Sequence, residues 1–112
     1  MSNSEGLIPI QPTVPLPNKE VLMYVLSSPV RWTILRELSL GEPLVCGDIA
    51  AITGMKSSSI SKQFNQLVAA GIVEQGRGRS YKLVKPYRPA PGAPKVLDFG
   101  HCVLRFDLDA TP

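Results

Sequence analysis

The stretch Lys56–Leu67, KSSSISKQFNQL, decides how the rest of the chain is read. Wound as a helix from about Ser57, it places Ile60, Phe64, Leu67 and Val68 on one stripe, at the i, i+4, i+7, i+8 spacing that buries against a core. The opposite face carries Ser58, Ser59, Lys62, Asn65 and Gln66, which are hydrogen-bonding groups and a single cation. No carboxylate falls between Gly54 and Val73. A solvated helix face ordinarily mixes both signs of charge, so a face of donors, amides and lysine suits a polyanion. The stretch predicts a DNA-recognition helix.

The charge distribution agrees with that reading. Residues 1–55 hold three Lys/Arg against five Asp/Glu, and residues 96–112 hold one against three, a net −2 in each case. Residues 56–95 hold eight, Lys56, Lys62, Arg77, Arg79, Lys82, Lys85, Arg88 and Lys95, against Glu74 alone, a net +7. A local cationic surface of this kind is what attraction to phosphates requires.

Working outward, Gly54-Met55-Lys56 reads as a tight turn, and Pro43 to Gly54 before it as a helix of about two turns. That helix turns Ile49, Ala50 and Ile52 or Thr53 to the core and keeps Asp48 in its first turn, where negative charge suits the dipole. Two helices joined through a short glycine turn, the second with a polar outer face, make a helix-turn-helix. Upstream, Asn18 caps a short helix from Lys19 to about Leu26. Ser28-Pro29 opens another that runs to about Leu40, with Val30, Ile34 and Leu38 as its stripe, Leu35 widening it and Gly41 ending it. Downstream, Gly71 stops the recognition helix. Ile72-Val73-Glu74 and Tyr81-Lys82-Leu83-Val84 are short strands around Gln75-Gly76-Arg77-Gly78-Arg79-Ser80, a hairpin wing with two arginines at its tip.

The two ends of the chain differ from this middle. The prolines of residues 1–17 predict an extended or disordered arm, and those of residues 85–95 (KPYRPAPGAPK) an extended linker. Residues 96–107 (VLDFGHCVLRFD) read as a C-terminal strand. Leu97 and Phe99 share one parity and Cys102, Leu104 and Phe106 the other, a slip that a glycine bulge at Gly100-His101 would absorb. Such a strand needs an edge, either that of its own wing sheet or that of a partner chain. Residues 108–112 form a tail. The expected architecture is α+β, mainly α: a winged helix-turn-helix over residues 18–84 with a β-hairpin wing and an additional C-terminal strand.

Four motifs in register now carry a family resemblance. Ser27-Ser28-Pro29-Val30-Arg31-Trp32-Thr33-Ile34-Leu35, Gly47-Asp48-Ile49-Ala50, Ser57-Ser58-Ser59-Ile60-Ser61-Lys62-Gln63-Phe64 and Ala69-Ala70-Gly71-Ile72-Val73 resemble the ArsR-type winged-helix repressors over roughly residues 19–84. The resemblance implies a homodimeric bacterial transcriptional regulator that binds operator DNA, often releasing it when an inducer binds. The departures are specific. Many members sense metals through a Cys-x-Cys pair where this chain has Val45 and Gly47 around Cys46, and the usual Arg-His or Lys-His dipeptide is Lys62-Gln63. One histidine, His101, and two unpaired thiols, Cys46 and Cys102, do not make a metal site of three or four ligands, so neither metal nor cofactor is expected.

The expected DNA-binding set is Lys56, Ser57, Ser58, Ser59, Ser61, Lys62, Gln63, Arg77 and Arg79. Ser58, Ser61, Lys62 and Gln63 lie closest to base edges, Ser57 or the helix-start amides on phosphate, Lys56 along the backbone, and the two arginines in the flanking minor groove or on phosphates. Paired helices in a dimer would address an inverted repeat, half-sites about one turn apart. Trp32 falls off its helix stripe, on a side open to a dimer partner or to a small-molecule effector. No nucleophile with a base, no paired carboxylates in a glycine-framed pocket and no phosphate-cradling loop occur, so no enzyme is expected. The competing reading is a winged-helix protein-protein module without DNA binding. With no basic, apolar leader and no apolar run near the roughly 20 residues that span a bilayer, a cytoplasmic protein is expected.

Overall fold

The computed structural model describes residues 18–90, 92 and 95–107; the expected arm at 1–17 and tail at 108–112 lie outside them. Four helices come first, α1 (Lys19–Leu26), α2 (Pro29–Leu38), α3 (Cys46–Thr53) and α4 (Ser57–Ala69). Two antiparallel strand pairs follow, β1 (Val73–Gln75) with β2 (Tyr81–Leu83) and β3 (Val96–Asp98) with β4 (Val103–Arg105). This is the mainly α winged helix-turn-helix that the periodicity predicted, with β1–β2 as the wing.

The helix starts are set by local chemistry. The Asn18 side chain accepts from the Val21 amide at 2.8 Å, and Ser28 Oγ accepts from the Arg31 amide at 3.2 Å ahead of Pro29 in the first turn. α3 begins at Cys46 rather than at Pro43, because Leu44 is taken by a β-bridge: its amide donates to Tyr81 O at 2.9 Å and its carbonyl accepts from the Tyr81 amide at 2.7 Å. Asp48 then reaches back to accept from the Val45 amide at 2.9 Å. α2 stops at Leu38, two residues short of the expected Leu40, with Ser39 as its C-cap.

Tyr81 and Phe64 sit where these elements meet. Their rings stack at 4.2 Å and 9°, joining the recognition helix to the wing, while the backbone of Tyr81 pairs with Leu44 on one side and Gln75 on the other. Around them Leu22, Val25, Ile34, Leu35, Leu38, Ile49, Ile60, Leu67, Ile72 and Leu83 form one buried core. α4 closes on Gly71, whose φ of +80° lets the Ile72 amide donate to Leu67 O at 3.1 Å and the Gly71 amide to Val68 O at 3.0 Å. That double bond satisfies the last carbonyls of the helix and aims the chain into β1. Val68, expected on the buried stripe, is 37% exposed, since Ile60, Phe64 and Leu67 fill the contact and Val68 falls off its edge. In α3, Thr53 is half-buried and Ile52 faces solvent.

The C-terminal region departs most from expectation. Lys85–Tyr87, read as the start of an extended linker, forms a single 3-10 turn that buries Tyr87. The single strand is instead a hairpin: Val96 pairs with Arg105, Leu97 with Leu104 and Asp98 with Val103, across a two-residue turn at Gly100-His101. Gly100, at φ +87°, takes the first position of that turn, which the primed hairpin turns reserve for a residue without Cβ. The parity slip therefore marks a reversal of direction and not a bulge. Opposed residues across this turn have opposite parity, so Leu97, Phe99, Leu104 and Phe106 share one buried face. That face packs on the domain through Tyr87–Phe99 edge contacts at 5.2 Å, Trp32–Phe106 edge contacts at 4.9 Å, and a 2.9 Å bond from the Lys95 amide to Ser39 O.

Candidate nucleic-acid interface

The polar surface of α4 divides into three stripes at helical spacing. Ser58, Lys62 and Asn65 are exposed and point outward. Ser57, exposed, and Ser61, half-buried, look toward the wing. Ser59, Gln63 and Gln66 are half-buried on the flank that meets α1 and α2. Of the residues expected to touch DNA, the structure thus presents Ser57, Ser58 and Lys62 openly and holds Ser59, Ser61 and Gln63 partly covered.

No side chain caps the start of α4. Lys56, exposed, precedes it in extended conformation, and its carbonyl accepts from the Ser59 and Ile60 amides at 3.0 and 3.1 Å. The Ser57 and Ser58 amides have no acceptor among the described residues. A helix start with free N–H groups carries a partial positive charge. Ser57, Ser58 and Ser61 of α4 then share a groove of about 510 Å³ with Cys46 and with Gln75, Gly76, Arg79 and Tyr81 of the wing. No carboxylate lines it.

The wing tip brings Arg79 to the other side of that groove, with Arg77 beside it in the turn, and both are exposed. Gly78 (φ +62°) and Arg79 (φ +64°) are consecutive left-handed residues, and the Ser80 amide donates to Arg77 O at 3.1 Å. Two left-handed central residues make the tight turn whose twist matches the flanking strands. A non-glycine residue in this region is strained, so the conformation that directs the Arg79 side chain carries a cost.

The +7 segment resolves into two groups. Glu74 on β1 pairs with Arg88 at 3.0 Å and with Lys82 at 4.0 Å, which takes both cations out of the free set. Arg88 Nε also donates to Leu83 O at 3.0 Å and pins the chain leaving the wing. Among the described residues Lys56, Lys62, Arg77, Arg79, Lys85 and Lys95 are in no ion pair; the first four lie at the start of α4, on it or at the wing tip, and Lys85 and Lys95 lie beyond β2. Four of the six unpaired cations of this segment therefore lie on or beside α4 and the wing.

Arg31 is the residue that sequence reasoning missed. It is 5% exposed, and every partner is neutral: Nε donates to Val25 O at 3.0 Å, Nη2 to Tyr24 O at 2.9 Å, and Nη1 to Gln63 Oε1 at 2.8 Å and to Gln66 Oε1. The Tyr24 ring covers its guanidinium at 4.5 Å. The signal was present in the spacing, because residues 31, 34, 35 and 38 form the i, i+3, i+4, i+7 stripe that is buried in α2. Trp32, left open between a partner and an effector, packs edge-on against Phe106 of its own chain. Cys102 lies half-buried in the hairpin, where burial and then the Asp98 carboxylate push its thiol up. His101 is exposed at the hairpin turn, and no group of three metal-ligating side chains occurs among the described residues.

Comparison with known families places this architecture. Residues 26–76 match a family model described as a helix-turn-helix domain. The match agrees with the helix-turn-helix fold described above. The matched segment runs from the end of α1 through α2, α3 and α4 to the end of β1, so the similarity takes in the candidate helix and the first strand of the wing. No curated protein and no solved structure matches the chain. Among the described residues no helix is long and apolar enough to cross a membrane.

Proposed function

We propose that the protein is a sequence-specific DNA-binding transcriptional regulator, working as a homodimeric repressor on an inverted-repeat operator. Helix α4 enters the major groove and the wing lies on the flanking backbone or minor groove. The observation that carries this reading is the groove between α4 and the wing. The hydroxyls of Ser57, Ser58 and Ser61, the helix-start amides and the unpaired Arg79 converge there, with no carboxylate among the described lining residues. Such a surface is rich in donors and free of fixed negative charge, as phosphate oxygens and the acceptors of the major groove require. Ser58 and Lys62 project furthest toward base edges, Ser57 and Lys56 toward phosphates, and Arg77 and Arg79 onto the neighbouring strand.

The dimer finds support in α1. Met23 is 70% and Tyr24 55% exposed, beside an apolar groove of about 390 Å³ formed with Ala69 and Ala70 of α4. A second copy meeting this face would cover exposed apolar surface and set two α4 helices on one side of the dimer. We assign the chain no enzymatic role.

The test is footprinting of the purified protein on the DNA upstream of its own coding region, beside an unrelated fragment of equal length. Protection of two half-sites about ten base pairs apart, with loss of reporter transcription when the protein is supplied, is the expected result. Equal, weak occupancy of both fragments would remove the operator from this location. Absence of binding to either would return the fold to a protein-protein role.

A further inference from the structure

Arg31 does more than fill a buried position, because its chemistry dictates what Gln63 offers to DNA. A guanidinium has five N–H donors and no acceptor. The atoms of Gln63 and Gln66 that face its Nη1 are therefore oxygens, as the bonds to both Oε1 atoms show; turning either amide over would set N–H against N–H. Arg31 itself cannot swing away. Its Nε and Nη2 are held by the carbonyls of Val25 and Tyr24, and it is 5% exposed with the Tyr24 ring over it. The orientation of Gln63 is thus imposed from within the domain, before any DNA arrives.

An unconstrained glutamine on a recognition helix reads adenine with both ends of its amide, accepting from N6–H and donating to N7. Gln63 has its oxygen turned inward to Arg31, while its Nε2 has no acceptor among the described residues. Resting on the DNA-binding reading above, we infer that Arg31 makes Gln63 a donor-only reader, whose NH2 group selects guanine through the adjacent N7 and O6 acceptors. Adenine offers that group only N7, and cytosine presents a donor against it. Arg31 is then a positioning residue for base preference, acting through Gln63 without touching DNA. It also leaves a buried positive charge, paired with no carboxylate among the described residues, directly behind the recognition helix.

The experiment is selection of preferred sites from a random-sequence duplex library by the full chain and its Gln63→Ala, Gln63→Glu and Arg31→Met variants. The parent is expected to select guanine at one position per half-site. Gln63→Ala should flatten that position alone, with about a tenfold loss of preference. Gln63→Glu keeps an oxygen for Arg31 but has no donor, so the same position should change from guanine to cytosine, whose N4 donates. Arg31→Met frees the amide and should admit adenine there. If Arg31→Met fails to fold, the glutamate variant decides, since it retains the Arg31 contact. A parent that selects adenine at the Gln63-dependent position overturns the inference, as does a glutamate or alanine variant with an unchanged preference; the regulator reading survives both results. A parent that binds no duplex overturns the regulator reading and this inference together.

Discussion

Arg79 offers a perturbation in which stability and binding should move in opposite directions. Its backbone is left-handed, at φ +64°, directly after Gly78 at +62°. Holding a residue with a Cβ in that region costs about 1–2 kcal/mol, whereas glycine pays little there but loses about 0.5–1 kcal/mol more entropy on folding. Arg79→Gly should therefore stabilise the fold by roughly 0.5–1 kcal/mol. Arg79→Ala keeps the strain and should leave stability within about 0.5 kcal/mol of the parent. For a domain of this size the gap between the two variants corresponds to roughly 3–6 °C in Tm. Both variants remove the same guanidinium from the wing, so both should weaken DNA binding and cut the magnitude of the salt slope by about 0.9 per protomer. Differential scanning calorimetry and a salt-dependent anisotropy titration measure the two effects independently. Equal melting of the two variants would refute the strain, and an unchanged salt slope in both would refute the placement of Arg79 on phosphate.

Three further predictions follow from separate parts of the fold. Phe106→Ala, which removes a buried ring from the edge of Trp32, should cost about 3 kcal/mol and shift the emission of this sole tryptophan to longer wavelength as the hairpin loosens; an unmoved spectrum would contradict the docking. Glu74→Gln frees Lys82 and Arg88, so non-specific DNA affinity measured by anisotropy should rise by about twofold or more while stability falls by less than about 1 kcal/mol; weaker binding would refute the division of cations. Burial, followed by Asp98, raises the Cys102 pKa above 9.0, and burial raises that of Tyr87 above 10.0. Raised folded-state values mean that the unfolded chain loses these protons first as the pH climbs. The stability they contribute is intact below the unfolded values and lost as pH rises through the folded ones. Urea midpoints should fall above about pH 9, with a later onset in Cys102→Ala, and a rise over that window would refute the assignment.

The readable parts of this chain are those where a local rule and the tertiary fold ask for the same thing. Asn18, Ser28-Pro29 and Gly71 act as caps whatever surrounds them, and the apolar spacing of Ile60, Phe64 and Leu67 leaves α4 one face to bury. Where a long-range partner intervenes, the local reading failed. Leu44 could not be seen to leave α3 for Tyr81, and Lys85–Tyr87 could not be seen to turn inward because its contact, Phe99, lies beyond the proline-rich stretch. The parity slip at Gly100-His101 is visible in the sequence, but a bulge and a two-residue turn produce the same slip, and only pairing separates them. The candidate site was legible in composition and less so in geometry. The sequence grouped Gln63 and Gln66 with the other polar residues of α4, yet the structure turns them toward Arg31, a charged residue on an apolar stripe.

The central claim is that the α4 and wing surface meets DNA phosphates with its unpaired cations, and the salt dependence of duplex binding tests it most directly. Lys56, Lys62, Arg77 and Arg79 make four such cations per chain. At about 0.9 per neutralised phosphate, the slope of log affinity against log salt should approach −3 to −4 per protomer, and should fall by about half when Lys62 and Arg77 are both replaced by alanine. A slope near zero in the parent, or one that the double replacement leaves unchanged, would contradict the account.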